Sequence, residues 1–145
     1  GEDFSAEVDV KFSSSPGANI YDIVGKGASN FSSGWSILAY TASGVPSLRM
    51  FANTSAAING ELGMNAAFAP VIDQWYTIKA VWKNTGVQEL WIDGVKSAER
   101  SKATSYLPPI DSAHDLRLGE VFVTGTNRAF DGEMRNLKIF KGIIN

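Results

Sequence analysis

The stretch Trp75–Gly94, WYTIKAVWKNTGVQELWIDG, decides the fold class. Tyr76, Ile78, Ala80 and Trp82 alternate with Trp75, Thr77, Lys79 and Val81. That is the period of two expected of a strand with one buried face. Asn84-Thr85-Gly86 interrupts the pattern, and a second strand returns from Val87 to Asp93. A three-residue loop ending in glycine is a common hairpin connection, and its length sets the register. Lys83 then stands opposite Val87, Val81 opposite Glu89, and Lys79 opposite Trp91. Tyr76, Ile78, Ala80 and Trp82 share their face with Leu90 and Ile92, which makes that the core face. The other face carries Trp75, Thr77, Lys79, Val81, Glu89, Trp91 and Asp93. A two-residue loop would set Val81 against Leu90 and mismatch the apolar sets.

The same alternation recurs on both sides of this hairpin. Phe4, Ala6, Val8, Val10 and Phe12 alternate with Ser5, Glu7, Asp9 and Lys11, and Ser13 to Gly17 ends that strand. Further strands are expected at Ile20–Gly25, Trp35–Tyr40, Ser47–Asn53, Val95–Glu99, Leu116–Thr124 and Glu133–Phe140. The small-residue segment Ala56–Ala69 reads as a short strand flanked by loops. Tyr106-Leu107-Pro108-Pro109 cannot lie in a central strand and belongs to a long loop. Asp93-Gly94 and Ser43-Gly44 are turn signals. With no helical stripe, the pattern predicts an all-β, two-sheet antiparallel sandwich of the jelly-roll kind.

Composition narrows the function classes. The 145 residues fit one domain, and the hydrophobic fraction of 44% supplies a core. Net charge is −2, so no basic excess exists to bind nucleic acid. There is no cysteine, which removes disulfides, thiolate metal sites and cysteine nucleophiles. No run approaches the 18 apolar residues that suggest a membrane helix. The chain reads as a domain cut from a larger protein, and the absence of cysteine leaves its compartment open.

Several landmarks, taken in order, resemble the concanavalin A-like lectin/glucanase superfamily, and within it the laminin-G-like and pentraxin-like jelly rolls. They are Ile23-Val24-Gly25-Lys26-Gly27, Gly34-Trp35-Ser36-Ile37, Trp75 to Ala80, and Leu90-Trp91-Ile92-Asp93-Gly94. Leu118-Gly119 and Phe130-Asp131-Gly132-Glu133-Met134 follow, leading into Leu137-Lys138-Ile139-Phe140. The resemblance covers nearly the whole chain. It implies a concanavalin A-like β-sandwich whose members include lectins, binding modules of polysaccharide-degrading enzymes, adhesion domains and glycosidases. Fold alone does not choose among these.

The glucanases of that superfamily carry a Glu-x-Asp-x-(x)-Glu strand motif, whose carboxylates act as nucleophile and acid/base. Here Glu7-Val8-Asp9-Val10-Lys11 begins that pattern and places lysine where the second catalytic carboxylate could stand. His114, in Asp111-Ser112-Ala113-His114-Asp115, has no Gly-x-Ser-x-Gly elbow to serve. The expectation is therefore a non-catalytic domain. It can still be an accessory module of a polysaccharide-degrading enzyme.

Sugar binding needs apolar faces that stack on pyranose C–H groups, and planar polar groups that bond hydroxyls. Trp91 supplies such an apolar face on the outward side of the hairpin, with Lys79 beside it to bond hydroxyls. Arg49 and Phe51 face outward if Leu48 and Met50 face the core, and Tyr40 is a further candidate on a strand whose facing the alternation does not decide. A platform of Trp91, Lys79, Arg49, Phe51 and Tyr40 recognising a poly- or oligosaccharide is the first expectation, since large exposed aromatic patches mark interaction surfaces. Trp75 is read as a packing residue at a strand start. Against the platform stands the reading that the long loop around Tyr106–Pro109, or an oligomer partner, covers these aromatics. The alternative function is a laminin-G-like adhesion or structural domain that binds protein or spaces neighbouring modules, and a small glycosidase or lyase comes last. The setting that the lectin-like reading implies is extracellular, secreted or at a cell surface.

No cofactor is required. The resemblance implies a structural calcium ion as an option, with Asp131, Asp22 and Asp111 as candidate carboxylates. Asn30-Phe31-Ser32 and Asn53-Thr54-Ser55 match the glycosylation acceptor pattern, which arises readily in a Ser/Thr-rich chain.

Overall fold

The computed structural model describes residues 2–17, 20–27, 34–53, 63–101, 114–120 and 129–143. Ten strands run through them, and no helix occurs among the described residues. They are β1 (Phe4–Phe12), β2 (Tyr21–Gly27), β3 (Gly34–Ala42), β4 (Val45–Asn53) and β5 (Met64–Ala67). The second half supplies β6 (Trp75–Trp82), β7 (Val87–Ile92), β8 (Val95–Ser101), β9 (Leu116–Leu118) and β10 (Gly132–Lys141). Two five-stranded antiparallel sheets result, ordered β10-β1-β6-β7-β8 and β5-β4-β3-β2-β9.

The hairpin register is the one its loop length dictates. Lys79 pairs with Trp91 and Val81 with Glu89, and the Lys83 amide donates to the Val87 carbonyl at 2.8 Å. The returning turn uses positive φ at both Asp93 (51°) and Gly94 (76°). That is the backbone twist a two-residue hairpin prefers. The Asp93 carboxylate also accepts the Thr77 amide at 2.7 Å, tying the turn to β6.

The inward residues of both sheets close one core. Phe4, Ala6, Val8, Val10 and Phe12 are buried, as are Tyr76, Ile78, Ala80, Trp82 and Leu90. Across from them lie Ile23, Trp35, Ile37, Leu48 and Met50. Aromatic rings mark the two ends of the sandwich. At one end Phe4 stacks within 5.0 Å of Trp35 and 5.2 Å of Trp82. At the other, Phe12 meets Phe130 at 5.1 Å and Phe68 meets Tyr76 at 4.9 Å. Arg100 links the sheets on the side where β8 and β5 are the edges, its Nη1 donating to the Gly63 carbonyl at 2.6 Å.

Differences from expectation are local. The strand expected within Ala56–Ala69 is the four-residue β5, and residues 54–62 lie outside the described set. The strand expected over Leu116–Thr124 is described only as Leu116–Leu118. The Tyr106–Pro109 loop lies outside the described residues. The acceptor asparagine Asn30 does as well, and nothing is described of the Asn53 side chain.

One irregularity matters for the surface. Between Glu7 and Asp9 the β1–β10 register shifts, because Glu7 pairs with Lys138 but Asp9 with Arg135. The extra residue on β10 makes a bulge at Asn136, whose φ is 54°. Gly132 opens the same strand, where a Cβ would collide with the Lys11 carbonyl oxygen.

Candidate functional site

Opposed residues on neighbouring strands share a face, so the registers lay out each outer surface row by row. On the first sheet one row runs Lys138–Glu7–Lys79–Trp91–Lys96. The next holds Arg135, Asp9 and Thr77, and the one beyond it Glu133, Lys11 and Trp75. Along these rows Trp75, Lys79 and Trp91 are half-buried and Lys96, Arg135 and Lys138 are exposed, whereas Ser5, Val81 and Glu89, in the row on the other side of Lys79, are buried.

Trp91 is held on three sides. Its indole N–H donates to Glu89 Oε2 at 3.1 Å. Lys79 Nζ lies 4.9 Å from the ring centroid and Lys96 Nζ 5.9 Å, one from each flanking strand. Trp75 has a comparable setting, with the Arg135 guanidinium 3.9 Å from its centroid and Lys11 Nζ at 5.4 Å. Cations over indole faces are attracted by the ring quadrupole.

Carboxylates knit these cations together. Lys138 donates to Glu7 at 2.8 Å, Lys83 to Glu89 at 2.7 Å, and Lys11 and Lys96 pair with Glu133 and Glu99. Asp9 accepts from Thr77 Oγ1 at 2.7 Å and Asn136 Nδ2 at 2.8 Å, with Arg135 Nε at 3.4 Å. Burial pushes the Asp9 carboxyl upward, but these donors and the Arg135 charge outweigh it and hold the pKa below the usual carboxylate value. Glu89 shows the same balance: desolvation raises it, while Lys83, Trp91 and Lys96 together bring it down.

The outer face of the second sheet differs. Arg49 pairs with Leu38, Phe51 with Ser36, and Tyr40 with Ser47. Leu38 and Phe51 form a small buried cluster, with Ile20 and Tyr40 packed against it. Phe51 is only 6% exposed, and Asp22 and Ser36 are fully buried. The Arg49 guanidinium lies against Gly63, where any Cβ would strike it.

The five residues expected to form one platform are therefore divided. Trp91 and Lys79 meet on the first sheet, while Arg49, Phe51 and Tyr40 gather on the second, facing the opposite way. Phe51 offers almost no surface for stacking. The same outer face also carries Trp75 and Arg135. The hairpin register puts Trp75 outward, and its ring is half-buried against Arg135 and Lys11. The signal for Arg135 is the spacing of Met134, Leu137 and Ile139, three and then two residues apart, which marks the bulge.

The two strand carboxylates weighed for catalysis are tied up. Glu7 is paired with Lys138, and Asp9 is bonded by three donors. His114 is exposed, and Ser112 lies outside the described residues. Of the calcium candidates, Asp22 is buried within the second sheet, Asp131 accepts the Ser14 hydroxyl at 2.6 Å, and Asp111 lies outside the described residues. Among the described residues no group of three or more His, Asp or Glu converges in a way that could hold a metal ion.

The profile of the concanavalin A-like lectin/glucanase superfamily, laminin-G type, matches residues 1–145. The chain belongs to this superfamily. No curated protein matches it. Solved structures share its fold at low identity. A Bacteroides ovatus protein assigned to carbohydrate binding superposes with a TM-score of 0.74 at 15% identity, covering 99% of this chain and 38% of that one. The CBM40 module of a Ruminococcus gnavus IT-sialidase gives 0.75 at 15%, covering 99% and 78%. A heptameric SAP-like pentraxin from Limulus polyphemus gives 0.70 at 16%, covering 99% and 66%. The chain thus spans under two fifths of the Bacteroides protein. The superfamily member has a lectin-like fold, the kind used by carbohydrate-binding modules.

Proposed function

We propose that this domain is a non-catalytic carbohydrate-binding module that holds a poly- or oligosaccharide on the outer face of its first sheet, around Trp91 and Lys79. The observation that carries the reading is the half-buried Trp91 ring, fixed by Glu89 and bracketed by two lysines, one of which, Lys96, is exposed. A fixed indole loses little conformational entropy on binding, and neighbouring ammonium groups supply donors for sugar hydroxyls. The Ruminococcus module has been solved with α2,3- and α2,6-sialyllactose, which supports a saccharide as the kind of partner. The carboxylates Glu7 and Asp9 serve the surface lattice rather than bond cleavage. The setting proposed is extracellular or at a cell surface, within a larger protein, with no cofactor required for binding; a calcium ion would be structural.

The test is a glycan array with the domain and with Trp91→Ala. Wild-type binding that disappears in the variant, with the melting temperature lowered by no more than a few degrees, is the expected result. A large loss of stability would instead make Trp91 a packing residue.

A second reading, a laminin-G-like adhesion domain that binds protein, draws on the edge strand β9, where Leu116 and Leu118 are 44% and 53% exposed. Silence on every glycan together with self-association in solution would favour it.

A further inference from the structure

We propose that the saccharide site extends from Trp91 to a second contact at Trp75 and Arg135, and that its ligand is an extended, uncharged polysaccharide chain. The inference rests on the carbohydrate-binding reading above and adds the second contact point and the ligand class.

The two indoles share one face but stand well apart. Trp91 lies directly across from Lys79, and Trp75 lies four residues before Lys79 on β6. At about 3.4 Å per residue and about 4.8 Å between strands, their backbones are roughly 14 Å apart. One pyranose ring cannot touch both, whereas an extended chain running along β6 can.

Trp75 is also accessible from one side. Lys11 and Arg135 reach it from β1 and β10, both on the same side of β6. On the other side β7 ends at Ile92, and the Asp93-Gly94 turn lies beside Thr77. Trp75 therefore projects past the end of its neighbour strand. Arg135 is pinned between the Trp75 ring and Asp9. Its guanidinium carries five N–H donors in a fixed plane, so several remain for hydroxyl oxygens beside an apolar ring. Aromatic surface next to a preorganised planar donor suits a sugar better than either group alone.

The charge pattern selects the ligand class. Lys11, Lys83, Lys96, Arg135 and Lys138 each have a carboxylate partner on this same face. A polyanion would meet those carboxylates and would have to break the pairs to gain its own contacts. A neutral, hydroxyl-rich chain can accept and donate hydrogen bonds across the lattice without separating any pair. Its binding would be nearly independent of salt, because no counterions are exchanged.

Affinity electrophoresis of the domain tests this, using laminarin, galactomannan and arabinoxylan as neutral probes and alginate and heparin as anionic ones. At least one neutral polysaccharide retards the wild type, and Trp75→Ala and Trp91→Ala each weaken that binding by about tenfold. Trp75→Phe, which keeps a ring, restores most of it and controls for misfolding. Raising sodium chloride from about 50 to about 500 mM leaves the neutral interaction within about twofold. Loss of binding in Trp91→Ala but not in Trp75→Ala overturns the second contact while the carbohydrate-binding reading stands. Retardation by alginate or heparin alone, fading steeply with salt, overturns the neutral ligand. Silence with all five overturns this inference, and the glycan array then decides separately whether the carbohydrate-binding reading stands.

Discussion

On the outer face of the first sheet, Trp91 and Trp75 stay half-buried among paired charges; on that of the second, Phe51 is 6% exposed and packed with Leu38. Both faces arise from the same alternation of apolar and polar residues, and both present an aromatic at an outward position. What separates them is the neighbours across the strands. Trp91 is flanked by half-buried Lys79 and exposed Lys96, whose ammonium groups lie 4.9 and 5.9 Å from the ring centroid. Phe51 is flanked by Ser36 and lies in a cluster with Leu38, Ile20 and Tyr40. An outward aromatic thus keeps contact with water only where its cross-strand partners are long and charged. The first face leaves its indoles partly accessible, and the second behaves as additional core.

The sharpest way to break this contrast is to truncate one aromatic on each face. Phe51→Ala removes a buried ring and leaves a cavity, which costs about 3 kcal/mol in urea unfolding. Trp91→Ala removes a half-buried ring with one hydrogen bond and its cation contacts, and costs about 1 kcal/mol. Equal losses at the two positions would mean that the faces do not differ in kind.

Next in size is the acid dependence of the first face. Asp9 has its folded pKa below the usual carboxylate value of about 3.9, so the unfolded chain takes up its proton first as pH falls. Its contribution is complete well above pH of about 4 and is lost as pH falls through that value and then through the lower folded pKa. Glu89 behaves in the same direction. Asp9→Asn should lower stability by about 1.5 kcal/mol at neutral pH, where the charged hydrogen bonds are lost. It should also flatten the melting temperature measured between about pH 6 and about pH 3. A variant as acid-sensitive as the wild type would place the titration elsewhere, with Glu89 the next residue to change.

Much of this contrast was readable in the chain itself. The hairpin from Trp75 to Gly94 carries its own register, because loop length and apolar pairing admit one alignment, and so Lys79 beside Trp91 followed from local chemistry. The division of Arg49, Phe51 and Tyr40 from Trp91 did not follow. Which strand joins which sheet depends on long-range pairing, such as β1 entering between β10 and β6, that no local pattern encodes. The covering of Phe51 was equally hidden, since alternation tells inward from outward but not whether an outward face meets water. Arg135 over Trp75 depends on the Asn136 bulge, visible in the sequence only as a break in the spacing of Met134, Leu137 and Ile139.

The smallest expected effect lies at the rim of the same face. Lys138 donates to Glu7 from an exposed position, one row away from Asp9. The hydrogen bond to Glu7 raises the lysine pKa, helped by the charges of Glu7 and Asp9. Yet an exposed ammonium gives up favourable hydration and side-chain freedom to hold one partner, and salt screens what remains. Lys138→Met should therefore melt at the wild-type temperature within error, in low salt and in high, while keeping the stem that covers the sheet. A loss approaching that of Asp9→Asn would show that the charges act as one coupled lattice. The first face would then owe its charge arrangement to collective pairing, and the binding proposed at Trp91 would respond to changes at the distant β10 edge.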